Sequence, residues 1–433
     1  MSIEETYLRP VRGMRDLLPE DYYPILKICE KLAKIAESYG YLRVETPALE
    51  HFEILKAKAG EEIINEIYYF KDKAGREVGL RFDLTVPIAR IVAYRKDLPR
   101  PVRWYYISKV WRYDEPQHGR YREFHQYGIE LIGWGSIQAD AEGLEVLYRS
   151  LEAVELGDYE IRINDREIMD EILDRLRIER GDKRLKVFRI LDKRGKISKD
   201  EMVKMLTDLD LSKEIAETLV NISEIRDKFE KAPEILKELK VPEEKIRKIE
   251  DLIIELEDRE CISKMFIDLG IVRGLDYYTG LVYEVYVPDY NLAVGGGGRY
   301  DNLIEIYSGI HTPALGFAIG VERLVEALSL KGKIEKPKLG PDYYIYVFGG
   351  DRELARTGHR IARALRDRGA RVIVERGERS LRAALEYASK IGARKFIIVG
   401  KREHSRGTVK VRDMEKWTEQ EVKIEDIIEG QYI

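Results

Sequence analysis

The stretch VWRYDEPQHGRYREFHQYGIE, residues 110–130, concentrates side chains that can do chemistry. Arg120, Arg122, Phe124, Gln126, Gly128 and Glu130 recur at every second position, so a strand would turn all six to one face. Arginines, an amide and a carboxylate on one face make a poor core and a good polar pocket. Guanidinium forks hold phosphates there, and an aromatic or guanidinium plane stacks on a base. The polar DEPQHGR between the two arms has the Pro and Gly of a turn. A second cluster, IVRGLDYYTG (271–280), sets Arg273, two glycines, Asp276 and the adjacent Tyr277 and Tyr278 on an otherwise apolar run. A third, GGGGRYDNLIE (295–305), lacks the Gly-Lys-Ser/Thr ending of a phosphate-binding loop and opens no dinucleotide-type helix. By itself it reads as a turn, or as backbone that must come close to a ligand.

These residues need a frame, and the chain is long enough for one. Its 433 residues exceed what a single core usually supports, so two or three domains are expected. Ile25, Ile28, Leu32, Ile35 and Tyr39 line one face of a helix that Gly40 ends, with Pro24 in its first turn. YLRVETPALE (41–50) reads as a strand broken at Pro47. From about 165 to 260 long amphipathic segments follow one another, as in Met169, Ile172, Leu173 and Leu176. This predicts a mostly helical insertion, which could equally be a packing module. Residues 331–340 have the composition of a linker. Beyond them, strands at 343–348, 371–375 and 395–400 alternate with helices ending at Gly369 and near Gly392, which predicts a small α/β domain around a largely parallel sheet.

Composition narrows the function. Cys29 and Cys261 lie far apart, and six histidines show no metal-ligand spacing, which argues against a disulfide framework or structural zinc. The start, MSIEETYLRPVRG, has no apolar core of signal type, and no apolar run reaches the roughly 18 residues of a membrane span. A cytoplasmic protein without membrane contact is expected. The net charge is −4, yet residues 351–410 hold 17 Lys or Arg against 7 Asp or Glu. Such a patch suits RNA as well as it suits a solvated pair of helices.

Five segments, in order, resemble a known family. VWRYDEPQHGRYREFHQYGIE is similar to motif 2 of class II aminoacyl-tRNA synthetases, and LGFAIGVERL (315–324) to motif 3, with Gly316, Gly320, Glu322 and Arg323 in register. GYLRVETPALE (40–50) resembles motif 1, Pro47 included. IVRGLDYYTG and GGGGRYDNLIE resemble the two signature segments of the histidyl-tRNA synthetases. The resemblance spans the chain and implies an α+β fold. It implies a class II catalytic domain (1–164 and 261–330) built on an antiparallel sheet with flanking helices, a helical insertion (165–260), a linker (331–340) and an α/β anticodon-binding domain (341–433).

The resemblance also implies an activity: histidine and ATP form histidyl-adenylate, and the histidyl group passes to the 3′ end of tRNA-His. Arg112, Arg273 and Arg323 would be catalytic, with Arg273 directed at the α-phosphate and Mg²⁺ bridging the distal phosphates. Histidine would meet Asp83, Thr85, Arg112, Gln126, Glu130, Arg273, Tyr277, Tyr278 and Tyr300, with Glu130 and Tyr278 on opposite imidazole nitrogens. ATP would meet Arg112, Asp114, Arg120, Phe124 and Arg323, the acceptor end of tRNA would meet Gln117 and His118, and motif 1 would build a homodimer. Asp83 and Asp114 depart from the family pattern, which often has glutamate there. The competing readings are a histidine-binding regulatory paralogue, as in the regulatory subunit of ATP phosphoribosyltransferase, and a catalytically dead tRNA sensor.

Overall fold

The structure, a computed structural model, describes residues 5–58, 65–117, 119–272, 278–334, 337, 339–349 and 351–432. The chain divides into two compact units, Met1–Glu335 and Lys336–Ile433.

The first unit is organised by strands β1 (Leu42–Arg43), β2 (Leu49–His51), β3 (Tyr69–Lys71), β4 (Glu77–Leu80), β5 (Val102–Trp111), β6 (Glu123–Ile132), β7 (Glu160–Asp165), β8 (Arg226–Lys228), β9 (Met265–Asp268), β10 (Leu281–Val287), β11 (Tyr290–Arg299) and β12 (Ala314–Gly320). Nine of them form one sheet in the order β1-β5-β6-β12-β11-β10-β7-β9-β8, and β2-β4-β3 form a small second sheet. From β5 to β7 every neighbouring pair is antiparallel. That is the antiparallel sheet which the family resemblance implies.

Alternation along β6 sorts its side chains. Tyr127, Ile129 and Leu131 join Ile25, Ile28 and Leu32 of the first long helix in a single apolar cluster. Phe124, Gln126, Gly128 and Glu130 therefore share the opposite face. The first helix spans Pro19–Ser38, so Pro24 lies in its second turn and not its first. Pro19 with acidic Glu20 and Asp21 makes the better N-terminus, and the carbonyl of exposed Glu20, left without an N–H donor by Pro24, can turn to water. Gly40 ends this helix as expected: its φ is +78°, its N–H bonds to Glu37 and that of Tyr41 reaches back to Ala36.

Between β7 and β9 the chain is mostly helical, from Arg166 to Asp258. These helices share the large apolar cluster of the sheet, with Met169, Leu219 and Leu252 among its members. They are also tied by charge. Arg194 donates to Asp268, which is fully buried at the end of β9, and Arg162 stands 3.6 Å from the same carboxylate.

The second unit has strands β13 (Tyr343–Val347), β14 (Val372–Glu375), β15 (Lys395–Val399), β16 (Thr408–Asp413) and β17 (Glu419–Lys423) in the order β14-β13-β15-β16-β17. The first three are parallel, as the alternation of strands and helices predicts. β16 and β17 extend the sheet in antiparallel fashion. They lie outside the three predicted strands because Lys410, Arg412, Glu419 and Glu421 mask the apolar alternation of Val409 and Val411. Those charges pair across the hairpin instead.

Candidate active site

The polar face of β6 runs along a trough whose floor is nearly bare of side chains. Glu130 lies opposite Gly316 of β12, which lies opposite Gly298 of β11; Gly128 lies opposite Ala318, which lies opposite Gly296. The glycines are required by what stands beside them. A Cβ on Gly316 would come within 2.2 Å of Glu130 Oε2, and one on Gly298 within 2.8 Å of Tyr278 Cδ1. The run Gly295–Gly298 is thus neither a turn nor a phosphate loop. It is the second half of a central strand, in which Gly298 leaves room for a phenol as Gly316 of β12 does for a carboxylate.

At one end of the trough the structure brings together Glu130, Thr85, Tyr300 and Tyr278. Glu130 is 1% exposed. Thr85, at the start of the helix Thr85–Tyr94, donates from Oγ1 to Glu130 Oε1 at 2.6 Å, and the Tyr300 hydroxyl donates to Oε2. A buried carboxylate needs such donors to offset its lost hydration. Asp83, 9% exposed, accepts the Val86 N–H at 3.1 Å in the first turn of that helix. Gln126 is buried and receives the Tyr106 hydroxyl at 3.5 Å.

At the other end lies an open cleft lined by Arg112, Asp114, Gly119, Arg120, Tyr121, Phe124, Gly320, Glu322 and Arg323. From Phe124 to Glu130 the strand covers roughly 20 Å, enough for a nucleotide and an amino acid in line. Arg112 is anchored through Nε to the Phe82 carbonyl at 3.0 Å, with its guanidinium carbon 5.4 Å from the Phe124 ring centre. The Arg120 Nε is buried with no hydrogen-bond partner in the protein. Arg323, in the helix Val321–Leu330, donates to the carbonyls of Gly119 at 2.8 Å and Ala293 at 3.0 Å. Glu322 receives the His125 backbone N–H at 2.8 Å and stands 2.8 Å from His125 Nδ1, which locks motif 3 to motif 2.

Arg122 is not part of the cleft. The strand begins only at Glu123, and the Arg122 guanidinium lies over Tyr113 and donates to the carbonyl of Asp114 at 2.9 Å. It shapes the motif 2 loop from inside. Gln117 is exposed at the loop tip and bridges to Arg120. Arg273, Tyr277 and His118 lie outside the described residues.

The sequence reading missed a buried ionic tie beneath the two signature segments. Arg299 donates from Nε to Asp140 at 2.9 Å and from Nη1 to Asp301 at 3.2 Å. Asp301 accepts the Ala314 N–H, while its own N–H goes to Thr279 Oγ1 at 3.0 Å. Burial pushes the Asp140 carboxyl up, and Arg299 works against that shift. This tie fixes the residues flanking Tyr278 and Tyr300. A charged residue directly after four glycines in a strand was the available signal.

The sequence pattern described as histidyl-tRNA synthetase matches residues 13–324, and that of an anticodon binding domain matches residues 342–430. The chain belongs to the histidyl-tRNA synthetase family. The histidine–tRNA ligase of Pyrobaculum aerophilum is 51% identical over 95% of this chain and 96% of that protein. The histidine–tRNA ligase of Pyrococcus abyssi is 41% identical over 96% and 97%. Among solved structures, the histidyl-tRNA synthetase from Nostoc sp. PCC 7120 superposes with a TM-score of 0.82 at 28% identity, covering 97% of this chain and 98% of that one. A Bacillus halodurans protein described as an ATP phosphoribosyltransferase regulatory subunit/histidyl-tRNA synthetase gives 0.75 at 27% identity, covering 89% and 97%. No described helix is long and apolar enough to cross a membrane. All the residues that wall the cleft, from Arg112 to Phe124 and from Gly320 to Arg323, fall within the matched span 13–324.

Proposed function

We infer that the chain activates histidine with ATP and transfers the product to tRNA-His. The observation that carries this is the pairing, along one face of β6, of an arginine-walled cleft with a buried carboxylate held by two hydroxyls. In the first step a histidine carboxylate oxygen attacks the α-phosphorus, the bond to the β-phosphate oxygen breaks, and pyrophosphate leaves. Such a displacement asks for positioning and for positive charge at the phosphoryl oxygens. Arg112, oriented by the Phe82 carbonyl, serves the α-phosphate and the substrate carboxylate. Arg273 acts on the α-phosphate from the first signature segment. Arg120 and Arg323 hold the nucleotide phosphates from opposite sides, with Asp114 at the edge and Phe124 stacked on adenine.

Glu130 accepts the imidazole N–H and so selects the tautomer whose other nitrogen faces Tyr278. Thr85 and Tyr300 keep Glu130 aimed, while Asp83 and Gln126 receive the α-amino group and Tyr277 is a further histidine contact. In the second step the terminal 3′-hydroxyl of the tRNA attacks the activated carbonyl and AMP leaves. Gln117 at the loop tip, together with His118, meets the acceptor end, and the basic second unit reads unpaired anticodon bases.

Mg²⁺ fits this site only as a companion of the nucleotide. Among the described residues no three His, Cys, Asp or Glu side chains are grouped as a metal cage requires, and a magnesium ion is commonly held by substrate phosphates with one or two carboxylates. Asp114 and Glu322 are the carboxylates that line the cleft, and a bound Mg²⁺ would neutralise charge on the distal phosphates. The domain division 1–164 with 261–330, 165–260 and 341–433, a cytoplasmic location and a homodimer through motif 1 complete the reading. Exposed Leu42, Leu49, Tyr69 and Phe70 on β1 to β3 support the dimer.

ATP–pyrophosphate exchange with each of the twenty amino acids tests the activation step: exchange with histidine alone is expected. Histidine binding without exchange would favour the regulatory or sensor reading; the anticodon-binding match at 342–430 speaks against the regulatory one.

A further inference from the structure

Arg323 and Glu326 stand three positions apart in the motif 3 helix and so share a face. Both reach the same two neighbours. Arg323 bonds to the carbonyls of Gly119 and Ala293. Glu326 accepts the Tyr121 hydroxyl at Oε1, 2.8 Å away, and the Tyr290 hydroxyl at Oε2, 2.9 Å away. Gly119 and Tyr121 belong to motif 2, whereas Tyr290 and Ala293 open β11. The contact is close. Gly119 has φ of +75°, and a Cβ there would stand 2.6 Å from the Tyr290 hydroxyl and 3.0 Å from Glu326 Oε2. Arg15 covers the Tyr121 ring, with its guanidinium carbon 3.4 Å from the ring centre. Both phenols stay protonated as donors: burial, then the Glu326 carboxylate, pushes Tyr121 up to about 12 and raises Tyr290 as well.

The residue between the two gripped positions is Arg120, which lines the cleft. We propose that Glu326, acting with Tyr290, is a positioning residue for the nucleotide: the carboxylate clamps the motif 2 loop to the β11 strand so that Arg120 is presented to the phosphates before ATP arrives. This rests on the reading of the cleft as the nucleotide site. Neither Glu326 nor Tyr290 lines the cleft, so both act through the loop. A loop already fixed loses less freedom on binding, and its release weakens ATP without touching the distant histidine pocket. Two phenols address two separate oxygens, which a carboxylate offers and an amide does not.

The test uses the full chain in histidine-dependent ATP–pyrophosphate exchange, with KM for ATP, KM for histidine, kcat and the unfolding temperature measured for each variant. Glu326→Ala is expected to raise KM for ATP about tenfold, the weight of one hydrogen bond to a charged group, with KM for histidine unchanged. Glu326→Gln should fall between wild type and Glu326→Ala. Tyr290→Phe removes a single hydroxyl and should shift KM for ATP in the same direction, adding little to Glu326→Ala in the double variant. An unchanged KM for ATP, or equal rises in both KM values, overturns the clamp. Should Glu326→Ala fail to fold, Tyr290→Phe decides alone by the same criteria. Arg120→Ala separates the two claims. If it leaves KM for ATP unchanged, the nucleotide reading of the cleft fails; if it raises KM while Glu326→Ala does not, only the clamp fails.

Discussion

Glu130→Gln isolates the charge that selects histidine. The side chain keeps its shape, yet Thr85 and Tyr300 donate to different oxygens of the carboxylate, and an amide accepts at only one. The Tyr300 hydroxyl has a second acceptor, the Leu315 carbonyl at 3.4 Å, so it can turn away, and folding stability should drop by only about 1 kcal/mol. The larger effect falls on substrate. An imidazole N–H bonded to a buried carboxylate is worth about 1.5–3 kcal/mol, which corresponds to a loss of roughly 10- to 150-fold in kcat/KM for histidine. Discrimination should shrink too. A pocket whose polar groups are left unpaired rejects a ring analogue lacking the N–H by roughly 10⁴-fold, and the amide variant should reject it less. Pyrophosphate exchange against histidine and thiazolylalanine, with thermal unfolding in parallel, measures all three quantities. An unchanged kcat/KM for histidine in a folded Glu130→Gln protein would refute the role given to this carboxylate.

Arg112→Lys keeps a charge but loses the Nε anchor on Phe82 and the fork that matches two oxygens; kcat in pyrophosphate exchange should fall by about tenfold or more, with the unfolding temperature nearly constant. Removing residues 336–433 should reduce tRNA charging far more than pyrophosphate exchange; equal losses would make that unit structural. Cys29 and Cys261 are buried, and burial raises both thiols to about 12, so a thiol reagent should label them only at the rate of unfolding. Asp165 caps the helix Arg166–Arg175 through the N–H groups of Glu167 and Ile168, and burial raises its carboxyl from 3.8 to about 6. A carboxyl whose folded value lies above its unfolded one favours the fold while protonated, and that contribution is lost as pH climbs from about 4 to about 6. Asp165→Asn keeps the capping acceptor, so chemical denaturation should find it more stable than wild type at pH 7, by up to about 3 kcal/mol, and no more stable at pH 4.

Local patterns of the sequence carried much of this protein. Period-two alternation put Phe124, Gln126, Gly128 and Glu130 on one face of β6, and the spacing of Ile25, Ile28 and Leu32 described the first helix, because strands and amphipathic helices repeat at intervals a reader can count. The order of five motifs was enough to identify the family. What contacts decide across the chain stayed hidden. Arg122 has the parity of a pocket residue, yet the Asp114 carbonyl and the Tyr113 ring draw it out of the face. The glycine run of β11 read as a turn or as backbone close to a ligand, and only the assembled sheet shows that Gly298 makes room for Tyr278 and that Gly316 of β12 makes room for Glu130, 186 positions earlier in the chain. Asp140 beneath Arg299, and Glu326 against Tyr121 and Tyr290, show no periodicity at all. A buried charge or hydroxyl is satisfied by whichever group the packing brings within about 3 Å. That partner is chosen by the assembled sheet and helices, and no local spacing encodes it.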